Sequence, residues 1–423
     1  MAKKKNSRLV AADIIAKWLS DQSFPEPELA KLQNDHAFVL EVVNGVIRNQ
    51  AIFKWIEKQW LKTPPAPFFR AVLHVGLYQL LFMDNVEEYA AISETVDAAK
   101  GRPGGPGNAK MINAVLRRAQ REGDKLFLAL KKQPAHVRLS HPKFLFDGWI
   151  KTYGEGEAVK LAEWNNNPPS TILRIEQSVI DASEFMDKLR EANIEPQVHP
   201  FSDNEIFLNL PRGVAVRKVP GYEEGWFTVQ DPATSVSVDL LAPDAGETVL
   251  DACAAPGGKT AMIAGRMKGS GELVAMDLHE DRIAVLKENQ KRLNLDWIEI
   301  VQGDARNPQK VFDDRKFDAI LLDVPCLNTG VLRRRADARW RVDEERLGTI
   351  TKLQREILSA SAELLKEKGR LVYSTCSLEP EENEELVAEW LNEHPDFELV
   401  ETKKAFPPES GTDGAFAALI RKK

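Results

Sequence analysis

From Glu247 onward the chain alternates short apolar runs with helical stretches, and this rhythm constrains its fold more than any other feature. The runs are Val249-Leu250, Leu273–Met276, Ile298–Val301, Ala319–Leu322 and Leu371–Tyr373. Strands separated by helix-length segments predict a parallel α/β sheet with helices on both faces. Such sheets bind ligands beyond the carboxyl ends of their strands. The chemistry should therefore lie in the residues that follow each run.

After the first run comes Asp251-Ala252-Cys253-Ala254-Ala255-Pro256-Gly257-Gly258-Lys259-Thr260, a small-residue turn leading into a helix start. Paired glycines let backbone approach a ligand closely, and a helix N-terminus offers unpaired N–H groups. A phosphate-binding P-loop would need Gly where Cys253 stands, and no GxGxxG is present. An adenosyl ligand fits better. Asp277, 19 residues past Gly258, ends the next run and can accept from ribose hydroxyls. Asp304, in Gln302-Gly-Asp304, is placed to meet the adenine. Each Asp alone could be a cap or loop residue, but they recur at successive strand ends.

Asp323-Val-Pro-Cys326 follows the fourth run and Tyr373-Ser-Thr-Cys376 the fifth. Both cysteines are predicted at the carboxyl edge of one sheet, beside the nucleotide. Cys253, among small residues, reads as packing. A thiol, a carboxyl group and an adenosyl methyl donor suit methylation at carbon 5 of a pyrimidine. That carbon becomes nucleophilic once a thiol adds to carbon 6, helped by a proton or hydrogen bond at ring nitrogen 3, for which Asp323 is the candidate. The base must leave any stack to reach such a site. Spacing alone does not say which cysteine attacks.

The preceding sequence reads differently. Helical spacing of apolar residues predicts helices over Arg8–Leu19, His36–Leu61 and Pro67–Met83, then a flexible loop at Gly101–Gly107 and another helix at Met111–Arg118. Residues 144–229 predict a small α+β module, with strands at Ile172–Ile175 and Glu205–Leu210 and helices at Gly156–Trp164 and Ala182–Ala192. The length of 423 residues has room for several domains. Boundaries are expected near 1–135, 140–230 and 231–423.

Charge divides along the same lines. The net −7 conceals 22 Lys and Arg against 15 Asp and Glu in residues 1–150, and 35 against 49 in the remainder. A basic N-terminal third is a candidate anion-binding surface, with Arg117, Arg118 and Arg121 on one helix. The alternative is a solvated helix face. Arg333, Arg334, Arg335, Arg339 and Arg341 follow Cys326 with Trp340 among them, a set suited to phosphate contacts and base stacking, or again to a surface helix. No apolar run approaches the roughly 18 residues of a membrane span. The basic start, Met1–Lys5, leads into no apolar signal core. Three cysteines without a CxxC pair predict neither a disulfide framework nor a metal site. A cytoplasmic protein is expected.

DACAAPGGKT at 251–260, DVPC at 323–326 and YSTCSLEPEENE at 373–384 together resemble the Nop/Sun family of RNA cytosine-5 methyltransferases. Glu94–Lys100 and Ile112–Arg117 resemble the helical RNA-binding fold of the antitermination factor NusB, which is fused to the methyltransferase in the bacterial subfamily called RsmB, Sun or Fmu. The resemblance extends to Gln230–Ser235, which leads into the catalytic domain, and to Asp413–Phe416 in the last strand. It implies an all-α NusB-like domain, a small α+β linker module and a Rossmann-like class I methyltransferase domain.

It also implies S-adenosylmethionine as donor, a cytosine of small-subunit (16S) rRNA as substrate and a monomeric protein. On this resemblance Cys376 matches the covalent nucleophile and Cys326 the cysteine that assists release, although in DNA cytosine methyltransferases the Pro-Cys cysteine attacks. Asp251, Gly257, Gly258, Lys259, Asp277, Asp304 and Asp323 fall on cofactor and active-site positions, with residues 252–256 and Arg282 beside them. Arg174 falls on an RNA contact of the middle module. The chain departs from the family at Leu327 and Asn328, where smaller residues are usual, at Arg335-Ala-Asp337 in place of His-Pro-Asp, and at Arg174-Ile-Glu176 in place of Arg-Val-Asn. The same chemistry on tRNA or large-subunit rRNA is an alternative. So is a non-catalytic RNA-binding assembly factor, against which the two cysteines argue. A small-molecule or protein methyltransferase would need neither the cysteines nor the basic helical domain.

Overall fold

The structure, a computed structural model, describes residues 6–32, 36–202 and 204–423. The basic start, Met1–Lys5, lies outside them. The chain forms two compact units, one of residues 1–166 with Arg335–Val342, the other of residues 167–334 with 343–423.

The first unit is helical. Its opening helix, Ser7–Asp21, is capped by the Asn6 side chain, which accepts from the Arg8 amide at 2.9 Å. The stretch predicted as one helix over 36–61 is two, His36–Arg48 and Gln50–Trp60. The break falls at Asn49, whose ψ of 17° leaves the helical range while its side chain donates to the Gly45 carbonyl at 2.9 Å. Side chains such as Asn compete in this way for backbone groups. The glycine-rich stretch is only partly a loop. Gly104 turns at φ 77°, and Gly105 opens a 26-residue helix, Gly105–Leu130, with Pro106 in its first turn, where the absent N–H is harmless. The Lys143–Tyr153 and Glu155–Asn166 helices also belong to this compact unit.

Residues 335–342 belong to it for a physical reason. Arg339 is fully buried and donates to the Ser140 and Asn165 carbonyls and to Asn166 Oδ1 at 2.8–3.1 Å. Trp340 Nε1 donates to the Ile47 carbonyl at 2.8 Å, and Ala336 joins the helical core.

The second unit holds two sheets. Strands β1 (Ile172–Ile175), β2 (Gln197–His199), β3 (Phe207–Asn209) and β4 (Phe227–Val229) form an antiparallel sheet in the order β2-β3-β1-β4. The helix Ala182–Glu191 packs Phe185 and Leu189 into its core, and Asp181 caps it. The larger sheet has β5 (Thr248–Asp251), β6 (Glu272–Asp277), β7 (Glu299–Gln302), β8 (Phe317–Asp323), β9 (Leu365–Thr375), β10 (Phe397–Ala405) and β11 (Ala415–Lys422). Its order is β10-β11-β9-β8-β5-β6-β7. The five strands β5–β9 pair in parallel, as their spacing predicted, whereas β10 and β11 add an antiparallel edge. Order reverses at β5, flanked by β6 and β8, and the crevice at its carboxyl end is where such sheets take ligands.

Trp390 is fully buried in this unit, stacked on His394 at 4.1 Å, with Nε1 donating to Ser359 Oγ at 2.9 Å. Trp390→Ala should destabilise the unit by about 3–5 kcal/mol, read as a fall in its chemical-denaturation midpoint.

Candidate active site

The sheet register assembles the site. Leu250 and Asp251 of β5 pair with Val274 and Ala275 of β6 and with Ile320 and Leu321 of β8. Asp323 of β8 pairs with Ser374 of β9. The loops bearing Asp251, Asp277, Asp323, Cys326 and Cys376 thus leave one edge of the sheet side by side.

Gly257, at φ 104°, and Gly258 open the helix Gly258–Met267. A Cβ on Gly257 would lie 2.6 Å from Leu286, and one on Gly258 2.9 Å from Gln230 Nε2. Gly257 is required by its backbone conformation, whereas a side chain at Gly258 would displace the Gln230 carboxamide. Asp251 is buried and one oxygen accepts from Thr260 Oγ1 at 2.7 Å, while Oδ1 has no partner. Burial pushes its carboxyl up to about 7, nearby Asp323 adds to this, and Thr260 and Lys259 oppose it. Asp277 is likewise buried, holding the Ala255 amide at 3.1 Å and the His279 amide at 3.3 Å. Arg282 donates to the Ala255 carbonyl at 2.5 Å and stands 3.4 Å from Asp277. Asp304 pairs with Arg306 through both oxygens, and that contact holds its carboxyl below the usual range.

A cleft of about 500 Å³ runs along this turn, lined by residues including Asp251, Cys253, Lys259, Asp323, Gln230 and Thr228. An unpartnered buried carboxylate oxygen, a glycine cradle and a helix N-terminus fit the adenosyl donor that the sequence implies. Cys253 is half-buried against the core and lines the cleft, where burial and Asp251 push its thiol up.

Lys259 Nζ lies 2.6 Å from Asp323 Oδ2. Burial alone would lower the ammonium's pKa, but Asp323 outweighs it and the net shift is upward. Cys326 and Cys376 are both free, with sulfurs 3.2 Å apart. The contact with Cys376, then burial, pushes the Cys326 thiol well up. Gly330 donates to the Cys376 carbonyl at 2.9 Å and Gly414 to the Gly330 carbonyl at 2.8 Å. A Cβ on Gly330 would fall 2.6 Å from that Cys376 oxygen.

Two residues that the sequence did not assign to the site underlie this pair. Glu382 is fully buried. It accepts from the Leu327 amide at 3.1 Å, from Gln354 at 2.8 Å and from Ser377 Oγ. In the acidic run 379–385 it reads as a solvated helix start, and nothing local signals its burial. Asn328 bonds to the Cys326 carbonyl and the Cys376 sulfur, and the sequence marked it only as a departure from the family.

The arginines separate by environment. Arg117 is half-buried and meets Gln120, while Arg118 and Arg121 are exposed on the long helix, Arg118 also over the Trp60 ring at 4.8 Å. Arg335 is exposed. The others hold the fold. Arg174 is buried with Glu176, Glu205 and Gln230, so its guanidinium faces no RNA surface. Arg334 pairs with Asp231 and Asp413 at 2.6–2.8 Å. Arg333 donates to the Asn167 and Pro168 carbonyls. Arg339 is buried as described above. In the predicted run of phosphate contacts, Arg333, Arg334 and Arg339 are thus engaged with carboxylates or carbonyls of the fold, Arg339 at full burial, while Arg335 is exposed. No cluster of three or more His, Cys, Asp or Glu among the described residues could hold a metal ion. No helix among them is long and apolar enough to cross a membrane.

Family models match throughout. Residues 238–421 match 16S rRNA methyltransferase RsmB/F, residues 5–121 the NusB family and residues 141–215 the ferredoxin-like domain of RsmF/B-like methyltransferases. The chain is 37% identical to ribosomal RNA small subunit methyltransferase B of Vibrio cholerae, over 92% of this chain and 90% of that one. The chain belongs to the RsmB/F family. A probable ribosomal RNA small subunit methyltransferase B of Bacillus subtilis is 32% identical, with both chains fully covered. The crystal structure of PH0851 superposes with a TM-score of 0.81 at 26% identity, covering 98% of this chain and 99% of that one. The three-part RsmB/F organisation accounts for the helical N-terminus, the small sheet and the larger mixed sheet.

Asp251 gives the site a pH signature. Its folded value, about 7, exceeds the ordinary 3.8. Between these values the folded chain holds a proton that the unfolded chain lacks, so Asp251's contribution to stability falls as pH rises through that window. In Asp251→Asn that part of the slope should vanish from denaturation midpoints measured between pH 5 and 8.

Proposed function

We propose that this chain methylates carbon 5 of a cytosine in small-subunit (16S) rRNA, with S-adenosylmethionine as donor. The observation that carries the reading is the pair of free thiols, 3.2 Å apart, one loop away from the Lys259–Asp323 pair and the glycine cradle. Methyltransferases that act on nitrogen or oxygen need no thiol, whereas an unreactive pyrimidine carbon requires one. The names of the Vibrio and Bacillus relatives support rRNA as substrate class.

Asp251, Gly257, Gly258, Asp277 and Asp304 would hold the donor, which when bound supplies an electrophilic methyl group. As the Cys376 sulfur bonds to carbon 6 its thiol proton is given up and ring nitrogen 3 takes one up through Asp323, which the Lys259 ammonium holds in place. After methylation a water molecule takes the carbon-5 proton, the freed electron pair re-forms the carbon 5–carbon 6 double bond, and the carbon–sulfur pair leaves with Cys376 as ring nitrogen 3 returns its proton. Cys326, held as the neutral thiol, assists that release. We assign 1–135 to RNA binding, 140–230 to a linker module and 231–423 to catalysis, with Arg117, Arg118, Arg121 and Arg335 toward RNA.

Cys376→Ala should abolish methylation while donor binding survives; full turnover by this variant would remove the nucleophile assignment. Cys326→Ala should accumulate a protein–RNA adduct on denaturing gels. Bisulfite mapping of rRNA with and without the protein identifies the base, and protection only in tRNA or large-subunit rRNA would replace the substrate. Neutralising Arg117, Arg118 and Arg121 together should weaken RNA binding and flatten its dependence on salt. An unchanged slope would return that helix to a solvated face.

A further inference from the structure

Asn328 stands where the family usually has a small residue, and its side chain meets the Cys326 carbonyl and the Cys376 sulfur. Its backbone is left-handed, with φ 61°, a conformation that Asn tolerates and Gly adopts freely. The loop there is fixed from both sides: Glu382 takes the Leu327 amide, and Thr329 Oγ1 lies 3.1 Å from Ser377 Oγ. Asn328 Nδ2 donates to the Cys326 carbonyl at 2.8 Å. That bond settles which end of the carboxamide points where, since a carbonyl accepts only from the NH₂ group. Oδ1 therefore faces Cys376, whose Sγ donates to it at 3.4 Å.

An amide oxygen can accept from a thiol but offers nothing to a thiolate. Charged and titratable groups also approach the cysteine pair from other elements. The Lys259 ammonium from the helix start interacts electrostatically with Cys376, while Lys259 is itself paired with Asp323 of β8, and Glu382 from beyond β9 bears on the neighbouring Cys326. The Cys326 thiol lies against the same sulfur. Asn328 adds a neutral oxygen acceptor that, by taking the Cys376 S–H, leaves the Cys326 thiol to donate to the Cys376 sulfur.

We propose that Asn328 is a positioning residue for Cys376, its carboxamide keeping the resting nucleophile protonated and turned toward the amide until a base takes that place. The site is thereby held inert toward electrophiles other than its substrate. This rests on Cys376 being the nucleophile, but its test does not require methyl transfer.

Iodoacetamide alkylation of the full-length protein, resolved for Cys253, Cys326 and Cys376 by peptide mass spectrometry across pH, reads the thiolate directly. Asn328→Gly keeps the left-handed turn without strain and removes the acceptor. Cys376 should then alkylate about two- to fivefold faster at pH 7, the effect of losing one weak hydrogen bond, with its pH midpoint moved down. Asn328→Asp keeps the shape and places a carboxylate beside the sulfur, so alkylation should slow and the midpoint rise. The pH profile of kcat for methyl transfer should follow the same two directions. An unchanged Cys376 midpoint in Asn328→Gly, or the same direction of change in both variants, overturns the proposal. Should Cys376→Ala retain turnover, the catalytic reading fails while the alkylation result still reports on the amide–thiol contact.

Discussion

The buried carboxylate of Glu382 is the interaction on which the catalytic edge depends. One oxygen takes the backbone amide next to Cys326 and the Gln354 side chain, and the other takes the hydroxyl next to Cys376. Two loops that leave different strands are thereby locked to one group. Burial raises its pKa, and its donors work against that rise. A carboxylate without them would be costly at full burial. Gly330 and Gly414 add a second tie, since only residues without Cβ let Gly330 approach the Cys376 backbone, and Gly414 approach Gly330, so closely.

Much of this was legible because strands and their ends are local features. The apolar runs at 249–250, 273–276, 298–301, 319–322 and 371–373 all lie in or across strands of the larger sheet, and β1 runs over Ile172–Ile175 as its pattern predicts. Aspartates at successive strand ends converge because parallel register carries each carboxyl end to the same edge. The antiparallel pair β10–β11 was harder to read: β10 is exposed along most of its length and lacks the continuous apolar run that marks buried parallel strands. The Asn49 break was hidden for a related reason, since apolar spacing continues across it.

Arginines were the least legible residues. A guanidinium that grips phosphate and one that grips a buried carbonyl have the same sequence appearance, and only their distant partners separate them. Arg174 finds Glu205, 31 positions away, and Arg334 finds Asp413, 79 positions away. Arg339 reaches Ser140 across 199 positions. The same limit applied to Asn328, which its neighbours in sequence mark as unusual while only the fold shows what it touches.

The excursion of residues 335–342 into the helical unit also bears on how the two units can be separated. The chain passes between them three times, before Asn167, after Arg334 and before Asp343, rather than once. A single cut after Asn166 leaves the two units joined through the chain at residues 335–342, where Arg339 and Trp340 are seated on the helical unit's own carbonyls. A catalytic half produced alone would carry this strand of chain with its buried cation and indole stripped of their partners. Separating the helical unit therefore takes three cuts in the chain, one of them on each side of residues 335–342.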